Sequence, residues 1–213
     1  MRSRYKPASV VLAVLAALLM AAPVAAADPW QTFKQSGTSA FAFDQACTEN
    51  PNRTVTCEGE SIDVFEGTTR QSGQPTTSGD RVCYGQFTDT FNPRTGEGES
   101  SGVFGCALDA GTLTIDNLTS ITLAPTVIEL TAIDCDSTGC TESPGGTITV
   151  QGTWTGVGPT TSQKGRFTFD DGTCIQVSAD RATSRQATFD GSIAATQAMM
   201  SMGTFTFRTS CAF

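Results

Sequence analysis

The chain has 213 residues, 38% of them hydrophobic, with 13 Lys and Arg against 21 Asp and Glu and no histidine. The missing histidine removes Ser-His-Asp and Cys-His nucleophile systems and the usual zinc and copper ligand sets. The acidic balance, without basic runs, argues against nucleic acid and anionic membrane as partners, since both need Lys and Arg to neutralise phosphate.

Residues 1–27 read as a secretory signal peptide: Arg2, Arg4 and Lys6 precede an apolar run from Val10 to Ala22, and Ala25 and Ala27 are the small residues of a cleavage site. The apolar run is shorter than a membrane span requires and ends without a lipid-attachment cysteine. Without this leader, 10 basic residues face 21 acidic ones, a net charge of −11. The eight cysteines all follow the leader, an even number in an exported chain, and no Cys-x-x-Cys occurs. Four disulfides are expected rather than a metal site. Strand geometry favours Cys47 with Cys57, Cys83 with Cys106, Cys135 with Cys140, and Cys174 with Cys211.

A polar arm with a single tryptophan, Trp30, occupies residues 28–38. Strands are predicted at Ser39 to Ala46, with Phe41 and Phe43 on one face, and at Arg53 to Glu60 after a turn containing Asn50, Pro51 and Asn52. Glu58, Glu60, Asp63 and Glu66 are interleaved with Ile62, Val64 and Phe65. This pattern suits a solvated strand face better than a calcium loop, which needs converging oxygens. The Ser-, Thr-, Gly- and Gln-rich stretch Thr68 to Gly79 reads as an exposed loop. Alternation resumes over Arg81 to Phe91 and Glu99 to Asp109, a hairpin around Asn92 to Gly96 that brings Cys83 beside Cys106.

Short strands follow at Thr112 to Asp116 and Thr119 to Leu123. Pro125 marks a bend or edge before a strand at Val127 to Asp134. Cys135 to Gly146 is turn chemistry. Asp134, Asp136 and Gly139 faintly resemble calcium-loop spacing, but the other ligands are missing. From Gly146 onward the pattern is clearest: Ile148, Val150, Gly152, Trp154 and Gly156 share one face of a strand. A loop is predicted from Val157 to Lys164. Phe167 and Phe169 then lead to the Asp-Asp-Gly turn at 170–172, a hairpin signal. Strands containing Ile175, Val177 and Ala179, then Ala187, Phe189, Gly191 and Ile193, and finally Phe205 and Phe207 complete the chain. Between the last two, Ala194 to Met202 reads as a loop with one helical turn. Phe-x-Phe leading to cysteine recurs near Cys47, Cys174 and Cys211 at irregular spacing, which is shared strand grammar rather than a repeat.

Few residues point to chemistry. Gly96, Gly98, Gly102 and Gly105 lie between strands, not at a strand-to-helix turn that would bind phosphate. Glycosidase-like carboxylate pairs are available at Asp170 and Asp171, Glu58 and Glu60, and Glu97 and Glu99, each with a plainer reading as turn former or solvated strand acid. Trp30, Tyr84 and Trp154 are the large amphipathic rings available to a sugar, and Trp154 has the parity of a core residue. The 13 phenylalanines suit a dry interior. Met199, Met200 and Met202 are placed for an adaptable lid.

The expected fold is all-β: an antiparallel β-barrel or β-sandwich of about ten disulfide-stapled strands. Residues 39–213 are read as one domain, with two small β-domains meeting near Ala110 to Leu118 as the alternative. The expected function is a secreted, extracellular, non-enzymatic binding or structural role toward an unknown partner. The alternatives are a barrel carrying a small apolar ligand and a carboxylate-based glycan hydrolase. No cofactor, catalytic residue or metal ligand is assigned, and Val157 to Lys164 and Ala194 to Met202 are the segments where function would reside.

Overall fold

The computed structural model describes residues 30–170 and 174–211. The expected leader, Asp171 and Gly172 of the predicted turn, and Phe213 lie outside them. The described residues form nine antiparallel strands: β1 (Gln31–Glu49), β2 (Val55–Gln71), β3 (Thr77–Phe91), β4 (Gly98–Leu108), β5 (Leu113–Asp116), β6 (Ser120–Asp136), β7 (Gly139–Asp170), β8 (Cys174–Gly191) and β9 (Gln197–Cys211). The sheet runs β4-β3-β2-β1-β9-β8-β7-β6-β5, and an added pairing of β4 with β6 closes it into a ring. The fold is therefore a barrel, which removes the two long edges that an open sheet of this size would expose. β5 pairs with the first part of β6, and β4 takes over along its last part.

Period-two alternation divides every strand into an inward and an outward row. The inward row carries the core: Ala40 and Ala42 on β1, Ile62 and Val64 on β2, Val82 and Tyr84 on β3, Ile121, Leu123 and Ile128 on β6, Val150 and Trp154 on β7, and Met200 on β9, all buried. Trp154 packs against Phe189 with ring centroids 4.7 Å apart. Each of the large buried side chains contributes roughly 1.5–3 kcal/mol by leaving water. Gly105 sits where the ring closes; a Cβ there would collide with the carbonyl oxygen of Glu129 and press on Ile128. Glycine is what lets β6 pass that close to β4.

Three disulfides join residues that are register partners on adjacent strands: Cys47–Cys57, Cys83–Cys106 and Cys135–Cys140, with Cα atoms 4.0 to 4.1 Å apart. These are the pairings that the hairpin spacing predicts. Cys174 and Cys211 are likewise register partners, on β8 and β9; the side chain of Cys211 lies outside the described residues.

Several expectations are corrected. Most phenylalanines do not form the interior: Phe41, Phe43, Phe65, Phe87 and Phe205 lie in outward rows, while Phe189, opposite Trp154, packs against the core. Outside the wall they cover one another instead, Phe41 stacking on Phe43 at 5.7 Å and Phe43 on Phe87 at 6.2 Å. Side chains fill the eight-stranded ring, and Trp154, Ile62, Ile121, Leu123, Ile128 and Met200 from other strands take up the space, so β1 turns Ala40 and Ala42 inward and its bulkier residues out.

The predicted loops are also mostly strand. β1 begins at Gln31, within the stretch read as an arm, and β2 and β3 reduce the Thr68 to Gly79 loop to residues 72–76. Val157 to Lys164 is continuous strand with a register irregularity between Val157 and Thr161. Ala194 to Met202 contains no helical turn, because its second half is β9. The bend at Pro125 is an irregularity within one strand, β6, where Thr126 Oγ1 donates to the Ala124 carbonyl.

Candidate functional site

The two ends of the barrel differ in length and in charge. At one end the hairpin turns close the mouth: 50–54, 92–97 and 137–138, with the β8–β9 loop at 192–196. At the other end, β4 stops at Leu108 and β6 starts at Ser120, but β7, β8, β9, β1, β2 and, for four residues, β3 continue. Pairing of β7 with β8 runs on to Asp170, of β8 with β9 to Cys211, and of β1 with β2 to Gln71. The result is a six-stranded sheet projecting past the ring, with β3 its short edge.

The hairpin mouth is acidic and rich in hydroxyls. A concavity of about 580 Å³ is lined by Thr88, Thr90, Glu99, Ser101, Asp134 and Thr141, among others. Deeper in the same row, Glu60 Oε1 accepts bonds from Tyr84 Oη at 3.4 Å and Gln86 Nε2 at 3.3 Å. Burial first, and then the nearby Glu60 carboxylate, push the Tyr84 phenol up to about 12.

The sequence candidates converge here only in part: Glu58, Glu60 and Glu99 lie at this end, as do Asp134 and Asp136, but Glu66 and Asp170 do not. Glu58 and Glu60 face inward, and Glu66 faces inward at the opposite end. Asp63 points outward to Arg81, Oδ1 to Nη2 at 3.4 Å. Crowding by the surrounding protein raises the Asp63 pKa and Arg81 opposes that rise, although 42% of the Asp63 side chain stays exposed. Four acids split over two faces and two ends do not make a calcium loop. Asp136 spends its carboxylate on its own turn, accepting from Thr138 N at 2.7 Å and Thr138 Oγ1 at 2.6 Å, and these bonds lower its pKa. Among the described residues, no group of three or more potential ligands is arranged to hold a metal.

Glu97 belongs to the β3–β4 turn while Glu99 lines the mouth, and Asp170 lies at the far tip of β7. Trp154 and Tyr84 are buried and offer no flat platform to a sugar. Met200 is buried in the core, whereas Met199 faces outward, so the three methionines are not one lid.

The projecting sheet assembles a pattern that the linear sequence conceals. Its inward row continues the barrel interior, as the register from buried Ala40 and Met200 shows. Along that row Lys34 pairs with Arg70 across β1 and β2, and Lys164 pairs with Arg181 across β7 and β8. Arg166 flanks Lys164 two residues along β7, and Arg208 stands on β9 opposite Thr32. These six are among the ten basic residues that follow the leader. Among the described residues none of the six is ion-paired. Hydroxyls fill the places between them: Ser36 and Thr204 bond across β1 and β9 at 3.1 Å. Glu66 and Asp80 share the row on the β2–β3 side, nearer the ring, with Asp80 accepting from the Thr112 backbone N–H at 3.2 Å.

Arg185 separates this face from the core. Its Nε donates to the Gly158 carbonyl at 2.9 Å and Nη1 to the Leu118 carbonyl at 3.2 Å, tying the β7 irregularity to the β5–β6 turn. The outward row of the same sheet is aromatic: Phe167 is 64% exposed, with Phe169 and Phe205 also exposed. Gln176, Ser178 and Asp180 lie between the β7 and β9 rings, so this is not a continuous apolar band.

Sequence reasoning missed the cationic face. Its only linear trace is the placement of each Lys or Arg at inward parity on strands that lie far apart along the chain. Among the described residues there are three disulfides, and no helix is long and apolar enough to cross a membrane, which is compatible with an extracellular protein. Comparison with protein-family models, with curated proteins and with solved structures finds no match to this chain.

Proposed function

We propose that this protein is a secreted, non-enzymatic binding module that holds its ligand on the inward row of the sheet projecting beyond the ring. The observation that carries the reading is the pairing of Lys34 with Arg70 and of Lys164 with Arg181. Like charges directly opposite on neighbouring strands oppose folding. A ligand that neutralises them recovers that energy on binding.

The other two readings have less support. A carrier of small apolar molecules needs space inside the ring, where Trp154, Ile62, Ile121, Leu123, Ile128 and Met200 are packed. A glycan hydrolase needs two carboxylates facing one cleft; Glu99 and Asp134 do line the hairpin mouth together, and this reading ranks lower because the unusual charge arrangement, like charges held opposite one another, lies at the other end. Secretion itself rests on the leader and the cross-strand disulfides.

The test uses protein recovered from the culture medium, whose amino-terminal sequence should begin at Asp28. A fluorescent fatty acid titrated into its Trp30→Phe variant, where Trp154 is the remaining tryptophan, should leave that emission unchanged, and a panel of soluble glycans and peptides should yield ligands that shift amide resonances of the projecting strands without being cleaved. Saturable quenching of Trp154 by the fatty acid, or glycan cleavage, would overturn the proposal.

A further inference from the structure

We infer that the ligand of the projecting sheet is a linear anionic polysaccharide, gripped by Lys34, Arg70, Lys164, Arg166, Arg181 and Arg208. This inference rests on the binding-module reading above and adds the chemical class of what is bound. Three features of the face select that class.

Its charge is opposite to that of the rest of the molecule. The chain after the leader has a net charge of −11, yet six of its ten basic side chains share one row of one sheet. A polyanion is repelled by most of this surface and attracted here, which sets the orientation of approach as well as the site.

Its shape and lining disfavour the other common polyanions. The face continues the inside of a barrel wall, so it suits an extended chain laid along it better than the plane of a bilayer or the groove of a duplex. Among the described residues its strands carry no aromatic side chain on the inward row beyond the ring, Trp30 preceding β1 at the far end of the face; the rings of Phe167, Phe169 and Phe205 are on the opposite side. Single-stranded nucleic acids are bound by cations interleaved with a succession of stacked aromatic rings, and no ring stands between the cations of these strands.

Its neutral residues suit a sugar. Between the cations stand Thr32, Ser36, Thr68, Thr168, Thr204 and Thr206, whose hydroxyls both donate and accept hydrogen bonds. Carboxylate or sulfate groups would meet the Arg and Lys side chains through charge-assisted bonds, and the ring hydroxyls would meet the Ser and Thr side chains.

Isotope-labelled secreted protein, titrated with a polyuronate oligosaccharide, a sulfated oligosaccharide, neutral dextran and single-stranded DNA at low and moderate salt, tests this. At least one anionic oligosaccharide should bind, shifting amides of β7, β8, β9 and β1 beyond the ring. Its affinity should fall steeply with salt as counterions are released, and dextran should not bind. Each of the double variants K34E/R70E and R166E/R181E, checked for native folding by circular dichroism, should lose about tenfold or more in affinity, while R94E on the opposite end should not. Tighter binding of DNA, equal binding of dextran, or charge-reversed variants that bind normally would overturn the ligand class while leaving a binding face on these strands. Failure of every polyanion to bind would also overturn it. Shifts confined to the hairpin mouth would overturn the binding-module reading as well.

Discussion

Lys34 on β1 and Arg70 on β2 are register partners on the inward row of the projecting sheet, two like charges held opposite one another with no carboxylate paired to either among the described residues. Such a pair costs roughly 0.2–1 kcal/mol relative to neutral partners. Lys34→Glu turns it into an opposite-charge pair and is expected to raise the melting temperature at low ionic strength. The gain should shrink in ~1 M salt, where the screening length falls to about 3 Å. Thermal melts of both proteins at the two salt concentrations check this; a Lys34→Glu protein that is less stable at low salt would show that the pair is not a site of repulsion.

The ring closes through Gly105. Gly105→Ala forces a methyl group against the Glu129 carbonyl and Ile128, so β6 must withdraw from β4. Overpacking of this kind costs typically 1–3 kcal/mol. Denaturant unfolding should register the loss, and hydrogen exchange should quicken at the amides pairing Val103 and Phe104 with β6.

Tyr84 and Tyr5 are the only tyrosines, and Tyr5 lies in the leader, so alkaline absorbance of the secreted protein reads Tyr84 alone. Its phenol should ionise near pH 12 rather than 10. Because the folded pKa is raised, the associated stability is fully present below pH 10. It is lost as pH rises towards 12, since the unfolded chain releases the proton first. Glu60→Gln removes a neighbouring negative charge and should lower the midpoint, whereas an unchanged midpoint would leave burial as the sole cause.

The cross-strand disulfides differ in the loops they close. Cys83–Cys106 spans 23 residues and Cys135–Cys140 spans 5. Loop-closure entropy alone assigns about 3 kcal/mol to the first and about 2 kcal/mol to the second. Paired Cys→Ala variants, compared in denaturant, should therefore show the larger loss for 83 and 106.

Much of this architecture can be read along the chain. Alternation in Ile148, Val150, Gly152, Trp154 and Gly156 requires a strand with a buried side, and Val150 and Trp154 are indeed fully buried. Close cysteine spacing around turn residues dictates the hairpin disulfides, because a local staple needs only the local register. The inside of the molecule was harder to read. In Ala40-Phe41-Ala42-Phe43 both rows are apolar, and hydrophobicity favours the wrong one. The bulk that other strands put inside the ring, Trp154 and Met200 among it, leaves β1 its alanines there and Phe41 and Phe43 to stack on the wall. Length, composition and periodicity thus determined an acidic, disulfide-stapled all-β protein. The tertiary structure alone decided that β4 meets β6, that six strands outrun the ring, and that Lys34, Arg70, Lys164, Arg166, Arg181 and Arg208 share one face. These outcomes depend on register between strands far apart in sequence, and side-chain pattern within a strand carries no information about which distant strand will lie beside it.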